Sequence, residues 1–453
     1  MRRMKTGFIF SFVFLFTMAP SLFADDNAQI LEKLKSLEDR VATLESKLVE
    51  HQQCILDQKT CIAQQQEKLD AYEAKIKELD PQLHRQMGTA TFVGDGFRIG
   101  AGATMIVQGT NNANGTQTVK SDRSDVSFSE DITIEKEFNN INGRAFIHLE
   151  SGQGDGLEDE LIVFSNVNRD ADNDNNVRLT EAWYEQSLFK NKMMLVTFGK
   201  LDPTVYFDNN EVANDETTQF LGRIFRNNPA IDFPDNTAGV RMALLRDDWV
   251  EFNVGVFDAD ADWEELGDSF CNMGEVTFKT KFFGQEGNYR LLGWYNNAPH
   301  TKWSDTSKTK EATFGVSMSI DQKVSDTIML FGRYGWEDPR VYNPAVTASD
   351  DSNYSVGQSW SAGFQIEGPF KRRDKDVFGF AIGQVVPSID YKKADSSRRA
   401  KAEGHLETYY SFFINDHLRL SPDFQYIWNP FGKDVADDTD GIAVFGMRAQ
   451  VDF

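Results

Sequence analysis

From about residue 92 to residue 453 the apolar side chains recur at every second position, the period of a strand with one apolar and one polar face. The stretch 445–453 shows it best. Phe445, Met447, Ala449, Val451 and Phe453 fall on one face, and Gly446, Arg448, Gln450 and Asp452 on the other. Phe97, Ile99, Ala101, Ala103, Met105 and Val107 alternate in the same way with Arg98, Gly100, Gly102, Thr104 and Gln108, with Ile106 as the exception. The pattern returns at 250–256, 314–321, 360–367 and 418–428. An apolar face toward lipid and a polar face toward water is the signature of a transmembrane barrel. About sixteen to eighteen such segments are present, and sixteen would leave roughly 22 residues for each strand and its loop, which fits short turns alternating with long loops. The predicted fold is therefore an antiparallel all-β transmembrane barrel of about 16 strands over 90–453, wide enough for an aqueous channel.

A soluble β-sandwich also alternates, but its ends carry no aromatic girdles. Here Trp183, Tyr184, Trp294, Tyr295, Tyr334, Trp336, Tyr409, Tyr410, Tyr426 and Trp428 lie near strand ends, where a barrel places its interfacial rings. The terminal Phe453, after alternating apolar residues, matches the assembly signal of outer-membrane barrels.

Before the barrel the period changes to 3.5. Leu34, Val41, Leu48, Ile55, Ile62, Leu69 and Ile76 occupy heptad position a, and Ile30, Leu37, Leu44, His51, Gln58, Gln65, Tyr72 and Leu79 position d. A strict seven-residue repeat predicts a self-associating coiled coil over 25–81 rather than a lone surface helix. The three polar d residues fix register at some cost in stability. Pro81 ends the helix, a rod of roughly 75 Å. Residues 1–24 read as a signal peptide: Arg2, Arg3 and Lys5, an apolar run from Gly7 to Met18, Pro20, and Ala24 for cleavage. The run is short for a membrane anchor. Localisation is then the outer membrane, with a periplasmic arm.

Composition refines this picture. The formal net charge of −23 becomes −26 without the three positive residues of the leader, and no basic block marks a nucleic-acid partner. Cys54 and Cys61 lie about 10 Å apart along one helix, too far for a bridge within the chain, and Cys271 stands apart. No Gly-x-Ser-x-Gly elbow is present and the six His show no metal-ligand spacing, so the chain is not expected to be an enzyme.

Two stretches resemble the carbohydrate-selective porin family of OprB type. One runs from Gly199-Lys200-Leu201-Asp202-Pro203 through Tyr206-Phe207-Asp208, Glu211-Val212-Ala213-Asn214-Asp215, Gln219-Phe220-Leu221 and Asn228-Pro229-Ala230-Ile231 to Phe233-Pro234 and Asn236. The other runs from Glu407 and Tyr409-Tyr410 through Leu420-Ser421-Pro422-Asp423, Gln425-Tyr426-Ile427 and Asn429-Pro430 to the last strand. The resemblance implies a sixteen-strand porin, usually a homotrimer, whose constriction is lined by charged and aromatic side chains and whose permeants are small sugars. Relatives in cyanobacteria pass mainly inorganic ions and carry a wall-binding domain and a coiled coil. No wall-binding repeat precedes the heptads here, so peptidoglycan remains an open partner beside outer-membrane lipid.

Parity puts Arg144, His148, Glu150, Arg241, Glu251, Arg290, Arg333, Glu367, Glu407, Arg419, Asp423 and Arg448 on inward faces, where opposed charges create a field across the lumen. Tyr409 offers a face for sugar stacking. The resemblance makes the stretch 206–236, with Arg223 and Arg226, the expected constriction segment folded into the lumen, with a plain extracellular loop as the alternative. Lys200 and Glu181 can be read either way. Asp170, Asp172, Asp174, Asn176 and Glu181 stand at positions 1, 3, 5, 7 and 12 of a calcium-loop spacing, but Asn175 replaces the usual Gly and no helices flank it, so a solvated acidic loop competes with calcium. No other cofactor is expected. The function expected is passive diffusion of small polar solutes. A cation-leaning ion pore and a closed barrel that merely tethers the coiled coil are the alternatives.

Overall fold

The computed structural model describes residues 96–453 apart from 115–121, 172–174, 190–192, 247–248, 266, 283 and 435–438, together with strand residues 91–94 and helical positions 35–37, 47 and 59. The expected leader, nearly all of the heptads, Cys54 and Cys61 lie outside the described residues. The chain divides into two compact units, Met1–Pro81 and Gln82–Phe453.

Among the described residues eighteen strands are joined by hydrogen bonds, and sixteen of them form one closed antiparallel wall. The other two are short: Thr91–Gly94, paired to the first wall strand, and Val341–Tyr342. The wall runs β1 (Phe97–Asn111), β2 (Ser124–Phe138), β3 (Gly143–Gln153), β4 (Arg178–Leu188), β5 (Met194–Leu201), β6 (Thr237–Arg246), β7 (Val250–Asp258) and β8 (Phe270–Phe282). It continues with β9 (Gln285–Lys302), β10 (Glu311–Lys323), β11 (Ile328–Glu337), β12 (Val356–Glu367), β13 (Val377–Pro387), β14 (Glu403–Asn415), β15 (Leu418–Trp428) and β16 (Gly441–Asp452). Each strand pairs with its sequence neighbour, and β16 closes on β1 with Met447 opposite Val107 and Arg448 opposite Ile106. Closure removes every edge, so all ladder groups are paired within the membrane.

The period-2 pattern becomes the two faces of this wall. In β16, Phe445 is 58 % exposed on the lipid face while Arg448, three residues on, is 1 % exposed inside. Ile106, which breaks the alternation of β1, is a buried lumen residue. The aromatic doublets need a correction: Trp183, Trp294 and Tyr409 are buried on the lumen side, and only their neighbours Tyr184, Tyr295 and Tyr410 turn outward.

The connections alternate in length. Short turns such as 139–142, 324–327 and 416–417 occupy one rim, and long loops such as 202–236, 338–355 and 388–402 occupy the other. Segment 202–236 folds into the barrel and carries two single-turn helices, α1 (Pro203–Tyr206) and α2 (Arg223–Arg226). Asp202 caps α1 by accepting from the Thr204 N–H at 2.8 Å, and Pro203 occupies the first turn, where no donor is needed. The apolar core is thus inside the barrel, between loops and wall. Phe220, Ile224 and Phe225 pack against Phe331, Ala381, Val385 and Tyr409, with Phe220 meeting the Tyr409 ring edge-on at 5.0 Å. Val205, Tyr206 and Phe207 pack against Trp183, Phe257, Met273 and Trp294. Burying each such ring contributes about 1.5–3 kcal/mol.

Candidate functional site

The constriction segment is held by side chains that point inward from distant strands. Arg333 on β11 donates to the Phe225 carbonyl at 2.7 Å, the Asp208 carbonyl at 2.8 Å and Asn214 Oδ1 at 2.9 Å. Its Nε lies 3.2 Å from the Asp208 carboxylate, and both side chains are wholly buried. Glu407 on β14 accepts from the backbone N–H groups of Leu221 (2.6 Å) and Gly222 (2.9 Å). A Cβ at residue 222 would stand 2.8 Å from Glu407 Oε2, so a larger residue there would push the Glu407 carboxylate aside. Arg448 on β16 donates to the carbonyls of Glu216 (2.7 Å) and Gln219 (2.8 Å). The second inward loop, 154–177, is fastened likewise: Glu403 accepts from the N–H groups of Phe164 and Ser165, and Gln425 donates to the Val167 carbonyl.

Between these two loops and the wall of β1–β4 and β16 remains an opening of about 650 Å³. The wall contributes Asp131, His148, Glu150, Arg178, Glu181 and Asp452, and the loops contribute Arg169, Asp170, Asp202, Asp215, Glu216, Arg223, Arg226 and Asp235. Arg226 pairs with Glu216 at 2.5 Å and Arg223 with Glu158 at 2.6 Å, drawing the arginines to the loop side. The positive charge of Arg223, and then burial, lowers the Arg169 guanidinium below its ordinary value. Burial pushes the Glu216 carboxyl up, but Arg226 and Arg169 outweigh it and leave it below the usual range. Asp170 is raised well above the usual carboxylate range by burial, then by the charges of Glu216 and Asp131. On the wall His148 bridges two carboxylates, with Nε2 2.8 Å from Asp131 and Nδ1 3.8 Å from Glu181. A solute crossing here meets arginines and carboxylates interleaved on the loops and mainly carboxylates on the wall, charged donors and acceptors that can replace its hydration.

Of the expected residues, Glu150, placed inward by parity, and Arg223 and Arg226, on the constriction segment, line this opening. Arg333, Glu407, Tyr409 and Asp423 are buried under the inward loops, where Asp423 accepts from Gln425 at 3.0 Å and the Tyr409 hydroxyl donates to Gln365 at 3.3 Å. Arg144 pairs with Glu185 at 3.0 Å and stacks 5.1 Å from Trp183. Arg241 donates to Asn253 at 2.8 Å and lies 4.6 Å over Tyr206. Arg290 is buried on Asp321. Glu251 pairs with Lys279 at 3.2 Å, and Arg419 donates to the Lys375 carbonyl. Lys200 turns outward by register, its ammonium 5.8 Å from the Trp263 ring, while Glu181 faces inward and accepts from Trp183 Nε1.

In the calcium-like segment, Asp172 and Asp174 lie outside the described residues. Asp170 accepts from Ser129 at 3.0 Å, Asn176 is exposed, and Glu181 belongs to β4 rather than to the loop. Asp131 and Asp452 escaped the list of candidates although their inward parity in β2 and β16 was readable. Arg169, Asp215 and Glu216 sit on loops, where no period exists to read.

The family comparison decides what this barrel is. The sequence profile of the carbohydrate-selective porins, OprB family, matches residues 124–453. The chain belongs to the OprB family of outer-membrane porins. Among curated OprB-related proteins it is 22 % identical to Porin AaxA of Chlamydia caviae over 278 residues, 58 % of this chain and 54 % of the relative. It is 22 % identical to Porin B of Pseudomonas aeruginosa over 330 residues, 61 % of this chain and 68 % of the relative. The chain thus spans about half the length of the AaxA porins it matches. The high-pH structure of Pseudomonas putida OprB superposes with a TM-score of 0.66 at 18 % identity, covering 79 % of this chain and 94 % of that one, and so shares the barrel fold.

Proposed function

We propose that this OprB-family porin passes small polar solutes by passive diffusion, carbohydrates foremost, through the opening between the wall carboxylates and the loop arginines. The observation that carries this reading is the roughly 650 Å³ opening lined by both carboxylates and arginines. Hydroxyl-rich neutral solutes exchange their hydration for such donors and acceptors without the cost of desolvating a net charge. The acidic excess of the lining favours cations among small ions, an excess carried by Asp131, Glu150, Asp170, Glu181, Asp202, Asp215 and Asp452. The heptads upstream supply a periplasmic self-associating arm, in a homotrimer by analogy with general porins.

Single-channel conductance of the purified protein in planar bilayers, with maltose titration and reversal potentials, tests this. Cation-leaning channels blocked by maltose support it. Channels indifferent to maltose leave a general ion pore, and folded barrels without conductance leave only a tether.

A further inference from the structure

The turn between β12 and β13, on the short-turn rim, carries Lys371, Arg372, Arg373 and Lys375 within five residues, in a chain of net charge −23. Outer-membrane barrels direct that rim toward the periplasm. The turn is pinned to the wall through Asp376, which accepts from Arg373 Nε at 2.6 Å, the Tyr410 hydroxyl at 2.8 Å and the Phe413 N–H at 2.9 Å. The Arg373 N–H donates to the Phe370 carbonyl at 3.1 Å, which puts Lys371 and Arg372 at the two central positions of the tip. Both are exposed. Arg373 is paired with Asp376, and Lys375 with Asp416 at 2.9 Å, whereas among the described residues no carboxylate pairs with Lys371 or Arg372.

Phe370, just before these two cations, is 62 % exposed. A lone exposed ring would be ordinary. This one stacks on Tyr410 at 5.9 Å, and Tyr410 meets Phe412 at 4.4 Å, both on the outward parity of β14. The Arg373 guanidinium lies 5.7 Å from the centre of the Phe412 ring. The turn therefore overhangs the lipid face, with its exposed ring in the aromatic girdle and its free cations where the girdle gives way to headgroups.

We propose that Phe370, Lys371 and Arg372 form a docking site for the headgroup of an anionic phospholipid in the periplasmic leaflet. The ring enters the interface beside Tyr410 and Phe412, and the two cations meet the lipid phosphate, which a guanidinium can engage through two parallel N–H groups. A zwitterionic headgroup carries its own ammonium beside the phosphate and gains less from the pair. Each cation close to an anionic surface contributes about fivefold in partitioning, so two give a preference that can be measured. The site lies outside the channel lining, and no part of it bears on the permeant.

The test titrates the full-length protein in detergent with phosphatidylglycerol and with phosphatidylcholine of the same acyl chains, counting retained lipid by native mass spectrometry. The wild type should retain more phosphatidylglycerol. In Lys371→Gln/Arg372→Gln that preference should fall about fivefold or more, with the heat-modifiable electrophoretic shift of a folded barrel and the single-channel conductance unchanged. Lys393→Gln/Lys401→Gln, which removes two exposed cations from the opposite rim, should keep the wild-type preference. Equal retention of the two lipids by the wild type overturns the proposal. So does a preference unaltered in Lys371→Gln/Arg372→Gln, or one lost equally in Lys393→Gln/Lys401→Gln.

Discussion

The two faces of the wall obey different rules although they share every strand. The outer face is specified by its solvent: Met105, Val107 and Met447 need only be apolar, and Phe445 meets the Phe424 ring at 5.1 Å without needing any polar group. The inner face is specified residue by residue. Arg333 answers Asp208, Glu407 answers two backbone N–H groups, and Arg448 answers two carbonyls. Substitution outside should therefore follow polarity alone, and substitution inside should follow hydrogen bonds and charge.

The largest effect expected is at Arg333. Arg333→Ala leaves the Asp208 carboxylate buried without its cation and should cost about 3–5 kcal/mol, read as a lower temperature for loss of the folded electrophoretic form. The constriction segment is then released on one side, so the surviving channels should also show noisier conductance. Next is the outer face: Met447→Arg should cost about 2–4 kcal/mol near the membrane centre, whereas Met447→Leu should change little in the same assay. Equal effects of the two would break the comparison. Glu407→Gln keeps the shape but halves the acceptor strength toward Leu221 and Gly222, and should cost about 1–3 kcal/mol.

The smallest effect belongs to pH. Asp170 in the channel is held well above the usual carboxylate range by burial, then by Glu216 and Asp131. Its folded form therefore holds a proton more tightly than the unfolded chain, so ionisation costs stability and that cost is relieved as pH falls through the folded value. The same protonation removes one negative charge from the lining. Cation preference, measured by reversal potential, should step down at a pH above the ordinary aspartate range, and Asp170→Asn should abolish that step. A step that persists in the variant would assign the titration elsewhere.

The sequence made the outer face readable because lipid imposes one simple requirement on alternate residues, as in β1 and β16. It also put Arg333 and Glu407 inside by parity. What parity leaves undecided is whether an inward charge meets water or protein, because the partner comes from far along the chain: Asp208 for Arg333, Leu221 for Glu407. Doublets such as Trp183-Tyr184 are ambiguous for another reason, since two adjacent rings of like hydrophobicity give alternation nothing to distinguish. Arg169 and Asp215, on irregular backbone, carry no periodic signal at all. Parity thus reached His148 and Glu150 on the wall, the family resemblance reached Arg223 and Arg226 on the loop, and Arg169 and Asp215 were reached by neither.

The seam between β1 and β16 has a consequence for biogenesis. β16 both closes the ring and, through Arg448, ties down segment 202–236, which precedes it by some two hundred residues in the chain. Until β16 docks, the sheet keeps two open edges and its plug lacks that fastening, and Glu407 reaches it only two strands earlier. Sealing the ring and setting the aperture are therefore completed in one late step of assembly, so a half-built barrel is prevented from ever standing as a finished pore of the wrong width.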